Sequence, residues 1–260
     1  MSRVRRLLVQ MLRDTSLAPA GATRGVFILG MHRSGTSALT GVLADQGLAL
    51  LEGASREPLD VAAPNPRGNL EDRCVRDVNE GLLNANGGTW DRPLPILRVP
   101  WLFRVRAGQI VRRLTRMPSR WGLKDPRTIL CWELWRGAAA DRVGTFRHPA
   151  NVVESLSKRH PERHPPEVWE QTWCLYNSAL LDLYRERPFP IVNFDWSVDR
   201  YRHVVDRLAR SLEFRGNGEG FFDTEFRRHV GRDEFRDPRA RELYEQLVGI
   251  SEAEAEKLTN

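Results

Sequence analysis

The chain has 260 residues, 41% of them hydrophobic, and carries a formal net charge of +6 from 40 basic and 34 acidic residues. This length predicts one α/β domain with a sizeable core. Because its basic and acidic residues are interleaved, the charge disfavours a nucleic-acid-binding protein. Three cysteines without a C-x-x-C pair, and no apolar stretch near 18 residues, favour a cytoplasmic protein with reduced thiols and no integral membrane contact.

The two ends of the chain differ in pattern from its middle. Residues 1–23 predict an amphipathic helix and a linker, because Gln10 and Arg13 interrupt the apolar patch that a signal peptide would need. The core is predicted over residues 24–215, and residues 216–260 are predicted to form a helical extension packed on it. The glycine-rich run 216–220 fits either a loop that covers a ligand or a plain turn.

The first element of the predicted core is a strand that leads through a glycine-containing turn into a helix. Residues 26–29 are a continuous apolar run, and helical spacing begins at Thr36. Free N–H groups and the positive end of a helix dipole would meet in this turn, which predicts an anion site. The turn and the start of the helix supply its candidate binding residues: His32, Arg33, Ser34, Gly35, Thr36 and Ser37.

The spacing of this turn is that of a nucleoside-triphosphate P-loop with one change. Gly30, four residues, Gly35, Thr36 and Ser37 read as G-x-x-x-x-G-T-S, so that Thr36 stands where the P-loop has its lysine. That lysine reaches the β- and γ-phosphates of a triphosphate. Its absence favours a ligand with a single 5′-phosphate, although a glycine-rich turn without a ligand is the simpler alternative.

Further strands and helices alternate along the chain. Residues 52–68 and 87–100 predict loops over the site, and Trp121–Lys124 predicts a strand followed by Asp125-Pro126-Arg127. Helices are predicted over the following ranges: 69–84, 102–114, 128–140, 169–185 and 198–212. Strands near residues 26, 120, 143 and 191 then predict a P-loop-like, doubly wound parallel sheet flanked by helices.

A second strand–turn–helix lies over residues 142–159. Arg147 ends its strand, Pro149 suits a first helical position, and Ser155 follows about two turns into the helix. Both turns are expected at the carboxyl edge of the sheet, which is where such folds bind ligands.

With this pair of motifs the chain resembles the sulfotransferase superfamily, whose donor is 3′-phosphoadenosine 5′-phosphosulfate (PAPS). The loop Arg33-Ser34-Gly35-Thr36-Ser37 looks like the R-S-G-T-[ST] form of tyrosylprotein and many bacterial sulfotransferases. The resemblance implies that this loop holds the 5′-phosphosulfate, with Arg33 as a catalytic cation. It also implies that Arg147 and Ser155, eight residues apart, hold the 3′-phosphate. The resemblance covers residues 24 to 195.

Lys124 and Glu71 complete the implied catalytic set. Lys124-Asp125-Pro126 looks like a K-D-P element of related enzymes and makes Lys124 the second catalytic cation; a plain ion pair of Lys124 or Arg127 with Asp125 is the alternative. Residues 65–71 look like the N-P-x-G-[YF]-[WF]-E string of bacterial homologues, which makes Glu71 the general base. A carboxylate at a helix N-terminus also has the simpler role of stabilising the helix. Glu52, Glu57 and His32 remain alternative bases.

The implied reaction is in-line transfer of a sulfuryl group to a hydroxyl or amine, with 3′-phosphoadenosine 5′-phosphate (PAP) leaving. A carbohydrate or small molecule is the expected acceptor, no metal-ligand pattern is present, and the oligomeric state is left open. Two other classes stay open, namely a P-loop small-molecule kinase and a non-catalytic nucleotide-binding protein.

Overall fold

The structure, a computed structural model, describes residues 24–51, 54–55, 70–214, 216 and 235–259. Several sequence predictions therefore lie outside the described residues. They are the amphipathic helix over 1–23, most of the loop over 52–68, the alternative bases Glu52 and Glu57, and the glycine-rich run beyond residue 216.

Six strands form two sheets in the part of the chain that the structure describes. In chain order they are β1 (Gly25–Leu29), β2 (Ala54–Ser55), β3 (Glu71–Asp72), β4 (Trp121–Lys124), β5 (Ala140–Phe146) and β6 (Ile191–Asn193). The main sheet has the order β4-β1-β5-β6 and is parallel throughout, with β1 paired on both sides. The short strands β2 and β3 form a separate antiparallel pair.

Eight helices and one 3₁₀ turn surround the sheets in the described residues. The helices are α1 (Thr36–Asp45), α2 (Arg73–Ala85), α3 (Trp101–Leu114), α4 (Trp132–Trp135), α5 (Pro149–Arg159), α6 (Pro166–Glu186), α7 (Val198–Ser211) and α8 (Pro238–Thr259), and the 3₁₀ turn is Pro126–Ile129. Helix α8 packs on α6, α7 and β6. No helix within the described ranges is long and apolar enough to cross a bilayer.

The core lies on both faces of the main sheet. Alternate residues of β1 point to opposite sides, so that Phe27 and Leu29 join one buried cluster while Val26 and Ile28 join another. Continuous burial on both faces explains why the strands read as apolar runs. The predicted fold class, a parallel α/β sheet flanked by helices, is confirmed.

Two predicted helices have different bounds in the structure. The helix predicted over 128–140 is replaced by the 3₁₀ turn and the four-residue α4, because Ala140 already pairs with Gly25 as the first residue of β5. The helix predicted from residue 69 begins at Arg73, since the Asp72 carboxylate caps it by accepting hydrogen bonds from the Cys74 and Val75 N–H groups at 2.8 and 3.2 Å. Glu71 therefore precedes the helix instead of lying in its first turn.

Candidate active site

The loop between β1 and α1 is held in shape by two glycines. Gly30 and Gly35 have φ angles of 151° and 86°, which L side chains rarely adopt. A Cβ atom would lie 2.3 Å from the Thr145 carbonyl oxygen at Gly30, and 2.3 Å from the Phe194 ring at Gly35. The Thr145 hydroxyl donates to the Ser34 carbonyl at 2.9 Å and fixes the loop against β5. The N-terminus of α1 is thereby presented at the carboxyl edge of the sheet.

Arg33 joins the first motif to the second. Its φ of 65° is unusual for a residue other than glycine, and its Nε donates to Ser155 Oγ at 2.8 Å. Because β1 and β5 are neighbours in the sheet, the turns that follow them lie side by side. The structure thus brings together two predicted binding residues that are 122 positions apart in the chain.

Three arginines concentrate positive charge around this contact. Partial desolvation, followed by repulsion from Arg159 and Arg147, lowers the pKa of Arg33 to about 10. Burial also lowers the pKa of Arg147, against the attraction of Asp195. Crowded and partly desolvated cations are stabilised by a multiply charged anion, so this cluster favours a phosphate or sulfate group. Arg159, on the last turn of α5, was not among the predicted site residues.

Arg147 is positioned by Asp195, which follows β6, and by Trp173 of α6. Its Nε lies 3.4 Å from Asp195 Oδ1, and its carbonyl oxygen accepts from Trp173 Nε1 at 3.0 Å. Asp195 also accepts from the His148 N–H at 2.5 Å and from Asn151 Nδ2 at 2.9 Å. Asp195 was not among the predicted site residues, although its place just after a predicted strand at the ligand edge is a sign that could have identified it.

Lys124 and Glu71 form a buried pair beside the loop. Lys124 Nζ lies 2.7 Å from Glu71 Oε1 and 3.1 Å from Ser37 Oγ, at the end of β4. Burial raises the pKa of Glu71, but Lys124 and Arg127 outweigh that effect, so the net pKa lies below its ordinary value. Glu71 is therefore a carboxylate at neutral pH. The structure thus brings together Lys124, Glu71 and Ser37, which the sequence predicted as a catalytic cation, the general base and a donor-binding residue.

Arg127 connects this pair to a second ion pair. It lies 3.1 Å from Asp125, 2.8 Å from Glu80 and 3.6 Å from Glu71. The simpler alternative for this segment, an ion pair with Asp125, thus applies to Arg127, whereas Lys124 is paired with Glu71. Burial raises the pKa of Asp125 despite the neighbouring Arg127.

His32 is the loop residue that packs against an aromatic cluster. Its ring centroid is 4.6 Å from that of Trp90, and its Nε2 atom is buried with no hydrogen-bond partner among the described residues. Burial, and then the positive charges of Arg127 and Lys124, hold the pKa of His32 well below its ordinary value. The imidazole is therefore neutral at pH 7 and a poor proton acceptor.

The described residues define a parallel α/β protein in which two strand–turn–helix segments are joined at one sheet edge. A group of three or more His, Cys, Asp or Glu side chains suited to a metal ion is not found in the part of the chain that the structure describes.

Comparison with known proteins gives one match to a solved structure. No protein-family model and no curated protein sequence matches the chain. The crystal structure of the sulfotransferase STF1 from Mycobacterium tuberculosis H37Rv matches with 13% sequence identity and a TM-score of 0.41, covering 97% of this chain and 80% of that one.

Proposed function

We propose that the chain is a sulfotransferase that moves a sulfuryl group from PAPS to a hydroxyl or amine of a carbohydrate or small-molecule acceptor. The observation that carries the proposal is the 2.8 Å contact between Arg33 and Ser155, which joins two phosphate-type turns at the carboxyl edge of neighbouring strands. A ligand with two separate anionic groups suits two joined anion sites.

The two ends of the site have different tasks in this proposal. The cluster of Arg33, Arg147 and Ser155 binds the 3′-phosphate, and Arg159 adds charge to it. The loop N–H groups and Lys124, with Ser37 at 3.1 Å, face the 5′-phosphosulfate. The contact with Ser155 turns Arg33 toward the second motif, so Lys124 becomes the main catalytic cation and Arg33 links the two ends.

The chemistry requires that negative charge be stabilised and that the acceptor lose a proton. Lys124 supplies a fixed cation for the developing charge, as electrostatic catalysis requires. Glu71, ionised and 2.7 Å from Lys124, takes the acceptor proton as general base. The negative charge of the donor competes with Glu71 for Lys124, which weakens the ion pair and thereby raises the proton affinity of that carboxylate.

Transfer itself is tested with ³⁵S-labelled PAPS and a panel of sugars, phenols, alcohols and amines. We expect label to appear on at least one acceptor class in the absence of a divalent metal. Binding of PAP together with no transfer to any class would favour a non-catalytic nucleotide-binding protein instead.

The proposed 3′-phosphate cluster makes a prediction about ligand discrimination. Arg147→Ala and Ser155→Ala should each weaken PAP binding by about ten- to a hundredfold, since one charge-assisted contact contributes about 1.5–3 kcal/mol. Adenosine 5′-phosphosulfate lacks the 3′-phosphate, so its affinity should hardly change. Titration calorimetry with both ligands measures the difference, and equal losses for the two would show that these residues support the fold.

A further inference from the structure

A face made of residues 92–116 combines exposed apolar side chains with arginines. Leu97 is 85% exposed, Trp101 61%, Leu94 52% and Leu102 42%. Seven arginines share this segment: Arg92, Arg98, Arg104, Arg106, Arg112, Arg113 and Arg116. We call this surface the basic apolar face. None of its residues is among those assigned to donor binding or catalysis, and residues 92–100 belong to the segment predicted as a loop over the site.

Charge is strongly separated at this face. From residue 92 to residue 124 the sequence contains no Asp or Glu, in contrast to the interleaving elsewhere. None of the seven arginines forms an ion pair with any residue that the structure describes. Such a field favours an anionic partner.

Helix α3 arranges the apolar and basic side chains side by side. Its buried side holds Ala107, Ile110 and Leu114. At 100° per residue, Trp101 and Arg112 lie opposite that side. An exposed tryptophan next to leucines and arginines is typical of helices that lie in the interface of a bilayer.

We propose that the basic apolar face docks on the surface of an anionic lipid bilayer. Lipid headgroups complement the arginines, and the acyl boundary takes up Leu97 and Trp101. A nucleic acid would leave the leucines without a partner. A second copy of the same face would bring seven arginines against seven, and residues 1–23 carry four more arginines and one acid. An anionic lipid bilayer is therefore the partner that complements both the arginines and the exposed apolar side chains of the face.

Co-sedimentation of the full chain with vesicles tests this docking. We expect binding to phosphatidylcholine vesicles that contain about one quarter phosphatidylglycerol, weaker binding at high salt, and none to pure phosphatidylcholine. Each arginine near such a surface contributes about a fivefold gain, so Leu97→Ser with Arg104→Glu should weaken binding by at least about tenfold.

A matched variant controls for net charge and surface polarity. Leu175→Ser with Arg210→Glu also changes one exposed leucine and one exposed arginine, but outside the face, and should bind as the wild type does. Melting temperatures of both variants check that they fold.

Brominated lipid should quench tryptophan fluorescence in the wild type, and Trp101→Phe should lose part of that quenching.

Three results would overturn the docking proposal. They are no binding to the anionic vesicles at low salt, equal losses in the two double variants, and a concentration-dependent dimer that the Leu97→Ser, Arg104→Glu variant abolishes. None of these outcomes bears on sulfuryl transfer, which the acceptor screen tests separately.

Discussion

Replacing Glu71 by Gln should lower turnover by about a hundred- to ten-thousandfold, which is the usual contribution of a positioned general base. The amide keeps the shape of the side chain and a hydrogen-bond acceptor toward Lys124 Nζ, now 2.7 Å away. It lacks the basic oxygen that would take the acceptor proton. PAP binding should survive or tighten, because a negative charge next to the donor site is removed. Steady-state rates and titration calorimetry measure the two effects.

The pH–rate profile separates a base from a structural carboxylate. Activity of the wild type should fall as the pH drops through the pKa of Glu71, which Lys124 and Arg127 hold below its ordinary value. In Glu71→Gln this acidic limb should disappear. Glu52→Gln and Glu57→Gln serve as controls and should keep both rate and profile. If one of these abolishes activity while Glu71→Gln does not, the base has been assigned to the wrong carboxylate.

Replacing Lys124 by Met should lower turnover by about a hundred- to a thousandfold, since the variant lacks the fixed cation that stabilises the transition state. The side chain remains long enough to pack at its buried position. Its loss also leaves Glu71 buried beside Arg127 at 3.6 Å, without its nearest cation. The pKa of Glu71 should then rise, and the acidic limb of the residual activity should move to higher pH.

Lys158→Met is the matched control for this change. Lys158 is an exposed lysine that pairs with Glu154 on α5, so its loss should leave rate and pH profile unchanged. A Lys124→Met enzyme with a lower rate but an unshifted acidic limb would show that Lys124 does not govern the ionisation of the base.

The strands could be predicted from the sequence because each is a short buried run. Residues 26–29 and 143–146 are apolar or small throughout. Glycines follow the first run, and Arg147 and Pro149 follow the second, so the end of each strand is marked in the sequence. The placement of Arg147 and Ser155 on one strand–turn–helix followed from the apolar run before Arg147 and from Pro149 at the start of the helix.

Contacts between distant segments could not be predicted from the sequence. The pairing of Lys124 with Glu71 depends on the antiparallel pair β2–β3, which brings residue 71 back to the sheet edge. Asp195 meets Arg147 only because β6 pairs with β5. The start of α2 at Arg73 was missed because Asp72 and Glu71 are both acidic, and the sequence does not show which of them caps the helix.

The most direct test of the proposed donor site is thermal unfolding in the presence of nucleotides. A saturating concentration of PAP without Mg²⁺ should stabilise the folded chain by mass action, by about 2.7 kcal/mol at a hundredfold excess over Kd, and raise the melting temperature by about 5–10 °C. ATP with Mg²⁺ should raise it far less, because the loop has Thr36 in place of the lysine that grips a triphosphate. A larger shift with ATP and Mg²⁺ than with PAP would contradict the sulfotransferase proposal and favour a kinase.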